Sequence, residues 1–245
     1  MIEFLELHNQ DVLEENVEHF FQLFSEKFEE FNNECHHLWN EYPFIFSERA
    51  VGSAVFQAFL KIENTLLFME QPFKLNETEQ RFLDLYIDYN NRSELYLIEL
   101  KHSLKAYRRN RHPLNEKTIE KWNDCVQQSH DLNSQTVANF CYLEKYPKIY
   151  RVSLMIMPIY LSQTNAFDEN NLPEIPDNYL QNIQQWFSQN LIPEANRPNF
   201  IAVWNRGLST NNENAGENES YIQYPFICIV AKIDTIRNNG QNLIL

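Results

Sequence analysis

Residues 81–102 constrain the fold of this chain more than any other segment. Two runs of β-branched, aromatic and aliphatic residues flank the polar group Asn-Asn-Arg-Ser at positions 90–93. A polar group in such a place is typical of a turn that joins two strands. The second run, Leu-Tyr-Leu-Ile at 95–98, contains no charge and is typical of a strand covered on both faces. The segment therefore predicts two adjacent strands, the second of them buried.

Charged residues interrupt or close these two runs. Asp84 lies within the first strand, and Glu99 and Lys101 end the second. Because side chains alternate between the faces of a strand, Glu99 and Lys101 share one face. An acid opposite an acid and a lysine is suited to holding a divalent cation beside a positive charge, as phosphodiester hydrolysis requires. The alternative is a solvated strand end. Asp88 competes with Asp84, but it adjoins the turn, whereas Asp84 is embedded in the apolar run.

The spacing of Asp84 and the Glu99-Leu-Lys101 triplet resembles the motif of the PD-(D/E)xK nuclease superfamily. The resemblance covers residues 47–161, and Leu83 stands where the motif has proline. It implies an α/β fold with a restriction-endonuclease-like core, in which helices flank a central mixed sheet. It also implies that Asp84 and Glu99 ligate Mg²⁺ or Mn²⁺, and that Lys101 acts on the attacking water or stabilises the transition state.

Two predicted helices carry further candidates. The stretch 47–61 predicts a helix with a serine N-cap, and the resemblance implies that Glu48 at its start is a catalytic residue and metal ligand. Alternatively, Glu48 only complements the positive helix N-terminus. A second helix is predicted within 115–132. There the resemblance implies a catalytic glutamine, Gln127 or Gln128, although glutamine is also common on exposed helix faces.

The charge distribution bears on nucleic-acid binding. A net charge of -14 opposes binding to a polyanion, but residues 1–48 hold twelve acids and one lysine. The segment 101–112 contains five basic residues and no acid, a composition suited to contacting DNA phosphates. The alternative is a solvated loop. The residues of this segment predicted to bind DNA are Lys105, Arg108, Arg109 and Arg111.

The acidic N-terminal part predicts a helix of its own. From 15 to 32, phenylalanines recur at intervals of three and four, which indicates an amphipathic helix with acids on its other face. We therefore divide the chain into an acidic helical extension, 1–46, and a nuclease-like α/β domain, 47–245. The helix either packs with a solvated face or docks a protein partner. Further elements are expected at 149–161, 177–191, 200–204 and 224–233, with a parallel strand pair across the helix that precedes 149.

Location and function complete the expectations. No apolar run approaches the length of a membrane span, the start lacks a basic signal region, and the four cysteines have no paired spacing. These features predict a cytoplasmic protein with reduced thiols and no membrane partner. The predicted function is a Mg²⁺-dependent nuclease acting on DNA, in defence or mobile-element biology. The alternative is a catalytically inactive protein of the same fold that serves as a binding or assembly subunit.

Overall fold

The structure, a computed structural model, describes residues 1–7, 13–76, 78–107, 114–133, 146–163, 179–188, 192–208, 214–215 and 221–237. The helices are α1 Glu15–Trp39, α2 Glu48–Leu60, α3 Glu116–His130 and α4 Tyr179–Ser188. The strands are β1 Ile2–Phe4, β2 Thr65–Lys74, β3 Gln80–Tyr89, β4 Glu94–His102, β5 Lys105–Ala106, β6 Lys148–Gln163, β7 Phe200–Asn205, β8 Asn214–Ala215 and β9 Tyr221–Arg237. Within these ranges no helix has both the length and the apolar character needed to cross a membrane.

The strands of the described ranges form one mixed sheet. Its order is β1-β7-β9-β6-β4-β3-β2, with β5 beside β6 and β8 beside β9. The β2-β3-β4 series is antiparallel, and β4 then pairs in parallel with β6 across the α3 crossover. This arrangement confirms the predicted α/β class and the predicted parallel pair, because a crossover through a helix returns the chain in the same direction.

The N-terminal helix is part of the main core. Phe20, Phe21, Phe24 and Phe28 of α1 are fully buried in one cluster with side chains from α2 and the central strands. The Phe20 ring stacks on Tyr96 of β4, with the ring centroids 4.5 Å apart. In addition, β1 pairs with β7. The boundary proposed after residue 46 therefore falls within a continuous core and does not separate two cores.

The other face of the sheet is covered by α3 and α4. Trp122 and Val126 of α3 pack with Ile183 of α4 and with Met155 of β6 in a second cluster. At the start of α3, the Asn115 side chain accepts a hydrogen bond from the backbone N–H of Thr118. Ser47 caps α2 in the same way, as the sequence predicts. The caps fix where both helices begin, and thereby set the position of Glu48 at the first turn of α2.

Candidate active site

The site lies where two neighbouring strands separate. The β3–β4 ladder runs from the Tyr89–Glu94 pair to the Leu85–Ile98 pair. Beyond that point, within residues 78–107, β3 continues beside β2 and β4 continues beside β6. Asp84 and Glu99 are the next residues in this register, so they face each other across the point of separation. The sequence prediction placed both acids on adjacent strands, and the structure brings them together.

A backbone irregularity in the neighbouring strand accompanies this separation. Glu70 of β2, which lies opposite Asp84, has a left-handed φ of 52°. That conformation is uncommon for a residue with a side chain. The buried side chains also change faces here, because Leu85 packs in the cluster with α1 and α2, whereas Leu83 packs in a third cluster with Leu132. β3 is therefore reoriented at Asp84, which turns its carboxylate towards β4.

Charged side chains occupy the edge of β4 that β3 leaves. The backbone N–H of Leu100 donates to Oδ2 of Asp84 at 2.7 Å. The N–H of His102 donates to Oε2 of Glu48 at 3.2 Å, and Nζ of Lys121 donates to the His102 carbonyl at 2.8 Å. Backbone groups that β3 would otherwise pair are thus satisfied by two carboxylates and one ammonium group. The end of this ladder brings Glu48, Asp84 and Lys121 to one edge.

Asp84 and Glu99 form a coupled carboxyl pair. Glu99 is only 6% exposed, and burial raises its pKa to about 8, with a further upward contribution from the charge of Asp84. Burial also raises the pKa of Asp84, although the hydrogen bond from Leu100 opposes that shift. Without a cation, Glu99 therefore keeps its proton up to a pH of about 8.

Lys101 stands beside this pair. Its positive charge lowers the pKa of both Asp84 and Glu99, so it acts against the upward shifts caused by burial. Beneath the pair, the thiol of Cys125 on α3 donates to the Glu99 carbonyl at 3.4 Å and is fully buried. Burial raises the pKa of this thiol, so Cys125 contributes packing and a neutral donor. The site therefore combines two acids and one cation with a neutral thiol packed against them.

Asp88 has a different role. Its Oδ1 accepts the N–H of Arg92 at 3.0 Å, and its Oδ2 accepts the hydroxyl of Tyr146 at 2.6 Å. Asn90, Asn91 and Arg92 all have positive φ, so the turn requires such local support. Asp88 therefore holds the β3–β4 turn and is not free to join Asp84.

The glutamine candidates on α3 are not equivalent. Residues Lys121, Cys125 and Gln128 lie on one stripe of the helix, and the first two contact β4. Gln127 is exposed and lies about 160° around the helix axis from Cys125. The structure therefore does not bring Gln127 to the acids. Gln128 is the one of the two that shares the stripe facing β4.

The predicted DNA-binding run is described only at its start. Lys105 lies in β5, pairs with Ile159 of β6 and is 8% exposed. It is therefore not part of an exposed surface, contrary to the prediction, because the chain forms a short strand there instead of a loop. Arg108, Arg109 and Arg111 lie outside the described residues.

The acids do not form a larger cluster. Among the residues that the structure describes, no group of three or more histidine, cysteine, aspartate or glutamate side chains is arranged to hold a metal ion. Glu48 reaches the same β4 edge as Asp84, but its carboxylate accepts the His102 N–H. The site therefore offers a pair of carboxylates, with Glu48 nearby through the backbone of β4.

Sequence reasoning did not identify Lys121. Its position becomes meaningful only once α3 crosses the end of β4, and the one local signal is its spacing of one helical turn from Cys125.

No protein-family model, curated protein or solved structure matches the chain. A function for this site therefore depends on its chemistry.

Proposed function

We propose that the protein is a Mg²⁺-dependent nuclease that hydrolyses phosphodiester bonds of DNA. The observation that carries this proposal is the carboxyl pair of half-buried Asp84 and buried Glu99 beside Lys101, at the point where β3 and β4 separate. Buried acids with raised pKa values and a defined charge partner are typical of functional sites. The superfamily resemblance of the motif adds a restriction-endonuclease-like core to the proposal.

The donor chemistry fits a magnesium ion. Mg²⁺ prefers carboxylate oxygens, and it commonly takes one or two protein carboxylates while keeping several waters and binding substrate phosphates. Asp84 uses Oδ2 for the Leu100 N–H, which leaves Oδ1 available. Asp84 and Glu99 would hold the ion in place of the proton that the raised pKa keeps on Glu99. Glu48 uses Oε2 for the His102 N–H, and its Oε1 would reach the ion directly or through water.

The ion and the side chains around it have different proposed roles in hydrolysis. When bound, Mg²⁺ supplies a Lewis acid that polarises the phosphate and lowers the pKa of the attacking water. The ammonium group of Lys101 stabilises the negative charge that develops on the phosphate. Burial of Glu99 excludes bulk water from one side of the pair and strengthens these electrostatic interactions.

Cleavage of plasmid and linear DNA with Mg²⁺, Mn²⁺ or EDTA tests the proposal. The wild type is expected to cut with Mg²⁺ and not with EDTA, and Glu99→Gln is expected to abolish cutting. Glu94→Gln is the matched control, since Glu94 lies on the same strand with the same 6% exposure but bonds to Asn16 and Tyr96. A wild type that cuts no DNA with any of these metals, or Glu99→Gln that cuts normally, would contradict the nuclease proposal.

A binding or assembly subunit is the second candidate. Asp84 and Glu48 each satisfy a backbone N–H of β4, a structural role that would persist without catalysis. The acidic α1, with its exposed glutamates, is then the surface for a protein partner. Folded wild-type protein that neither cuts DNA nor is stabilised by Mg²⁺ would favour this candidate. Defence or mobile-element biology remains the setting that the superfamily resemblance implies.

A further inference from the structure

Lys121 contacts the end of β4, beside the candidate active site. It is on α3, one turn before Cys125, whose thiol contacts the Glu99 carbonyl. Nζ of Lys121 donates to the carbonyl of His102, the residue that follows Lys101. Consecutive residues of a strand are only about 3.3 Å apart along its axis. The ammonium group of Lys121 therefore contacts the backbone of the residue next to the proposed catalytic lysine, but it comes from a different element.

The charge of Lys121 has no acidic partner among the described residues. Other lysines of the chain do have one, since Lys27 pairs with Glu30 at 2.7 Å and Lys61 pairs with Glu34 at 2.7 Å. An ammonium group has three N–H donors. The His102 carbonyl takes one of them. Because Lys121 is exposed, the other two can reach a ligand from solvent.

The electrostatic setting indicates what that ligand is. Lys121 acts on the same strand end as Glu48, and both charges influence the imidazole of His102. Lys101 and Lys121 thus place two cations at the end of β4 that carries Glu99. A neutral residue would suffice to satisfy the His102 carbonyl. A lysine with two further donors is suited to an anionic oxygen, and nucleic acid presents such oxygens in series.

We propose that Lys121 binds a backbone phosphate of nucleic acid next to the phosphate that is cleaved. The inference rests on the proposed function, because it takes the acid pair as the point of cleavage. Lys121 positions the strand, and Lys101 acts on the reacting phosphate. A phosphate contact contributes to affinity in a sequence-independent and salt-dependent way. The role of Lys121 is therefore visible in binding, separately from the chemical step.

Binding of a labelled duplex of fixed sequence, as DNA and as RNA, tests this assignment. Affinity is measured against salt concentration, with Ca²⁺ and with EDTA, so that cleavage is not the readout. Lys121→Gln keeps a donor for the His102 carbonyl and removes the charge, whereas Lys121→Arg keeps the charge. Lys27→Gln removes the same charge from α1, away from the site, and is the control.

Lys121→Gln is expected to bind about five- to tenfold more weakly near 0.1 M salt and to lower the log–log salt slope by about 0.9, while Lys121→Arg and Lys27→Gln stay near wild type. In cleavage assays the loss should be in KM, with kcat retained. Unchanged affinity and slope in Lys121→Gln would overturn the assignment, as would a wild type that binds neither duplex. If the wild type binds the duplex but does not cut it, and Lys121→Gln has the smaller salt slope, the phosphate-binding role of Lys121 is supported and the nuclease proposal fails.

Discussion

Glu99→Gln should stabilise the metal-free protein in a pH-dependent way. The pKa of Glu99 is raised from its ordinary value of 4.5 to about 8, so the folded state binds the proton more tightly than the unfolded state. The stability from this proton is fully present below 4.5 and is lost as the pH rises through about 8. One pKa unit corresponds to about 1.4 kcal/mol, so the wild type loses about 3 kcal/mol between pH 4.5 and about pH 7, and nearly 5 kcal/mol in all.

Glutamine avoids that loss because it is neutral at every pH and can donate its own N–H to Asp84. The free energy of unfolding of the variant should match that of the wild type at a pH below the ordinary pKa of glutamate, and should exceed it by about 3 kcal/mol at about pH 7. For a chain of this length, each kcal/mol raises the melting temperature by roughly 2–4 °C. Urea unfolding or thermal melting in EDTA, repeated across this pH range, measures the difference directly.

Glu94→Gln supplies the control for burial and charge removal. Its carboxylate accepts hydrogen bonds from the Asn16 amide and the Tyr96 hydroxyl, two neutral donors, whereas the charge of Asp84 acts on Glu99. Removing that charge should weaken both bonds and destabilise the protein by about 1–3 kcal/mol. A Glu99→Gln variant that is less stable than the wild type at about pH 7, or whose advantage does not grow between acid and neutral pH, would contradict the raised pKa of Glu99.

Three further outcomes separate the roles of neighbouring residues. Mg²⁺ at a hundredfold excess over its Kd should stabilise the wild type by about 2.7 kcal/mol and leave Glu99→Gln unchanged, and equal gains in thermal melts would place the ion elsewhere. Lys101→Ala should abolish cleavage while circular dichroism shows a retained fold, because the proposed role of Lys101 is to stabilise charge on the phosphate; retained cleavage would remove it from the mechanism. Asp88→Asn should cost about 1–3 kcal/mol in urea unfolding, since the turn loses a charged acceptor, yet keep kcat, and a lost kcat with normal stability would return Asp88 to the site.

The elements that the sequence predicts well are those fixed by local patterns. The polar group at 90–93 forms the expected turn, because Asn90 and Asn91 tolerate positive φ better than most residues. Ser47 caps α2, and the apolar stripe from Val51 to Phe59 is buried as expected. The α1 prediction was right in position but short, since the helix continues to Trp39 through residues that carry no phenylalanine repeat.

Features that depend on tertiary contacts were not predicted. β2 has no strict alternation, and its exposed Leu66 and Phe68 differ from the half-buried pattern that identifies a strand. Glu70 of β2 adopts a positive φ beside the point where the buried side chains of β3 change faces. Glutamate at this position does not indicate a positive φ, as glycine or asparagine would. The integration of α1 into the core likewise depends on rings that meet across more than 70 positions of sequence, as Phe20 and Tyr96 do.

The backbone hydrogen bonds at the unpaired edge of β4 do not require charged partners, yet Asp84, Glu48 and Lys121 supply them. Satisfying the N–H groups of Leu100 and His102 needs only an acceptor, and satisfying the His102 carbonyl needs only a donor. Asparagine or glutamine would provide these bonds without the cost of burying a carboxylate beside Glu99. Burial, with a further contribution from the charge of Asp84, raises the pKa of Glu99 and so destabilises the folded protein at neutral pH. A cation at the acids and phosphates at Lys101 and Lys121 would offset that cost, which is why this edge favours a ligand-binding site over a purely structural one.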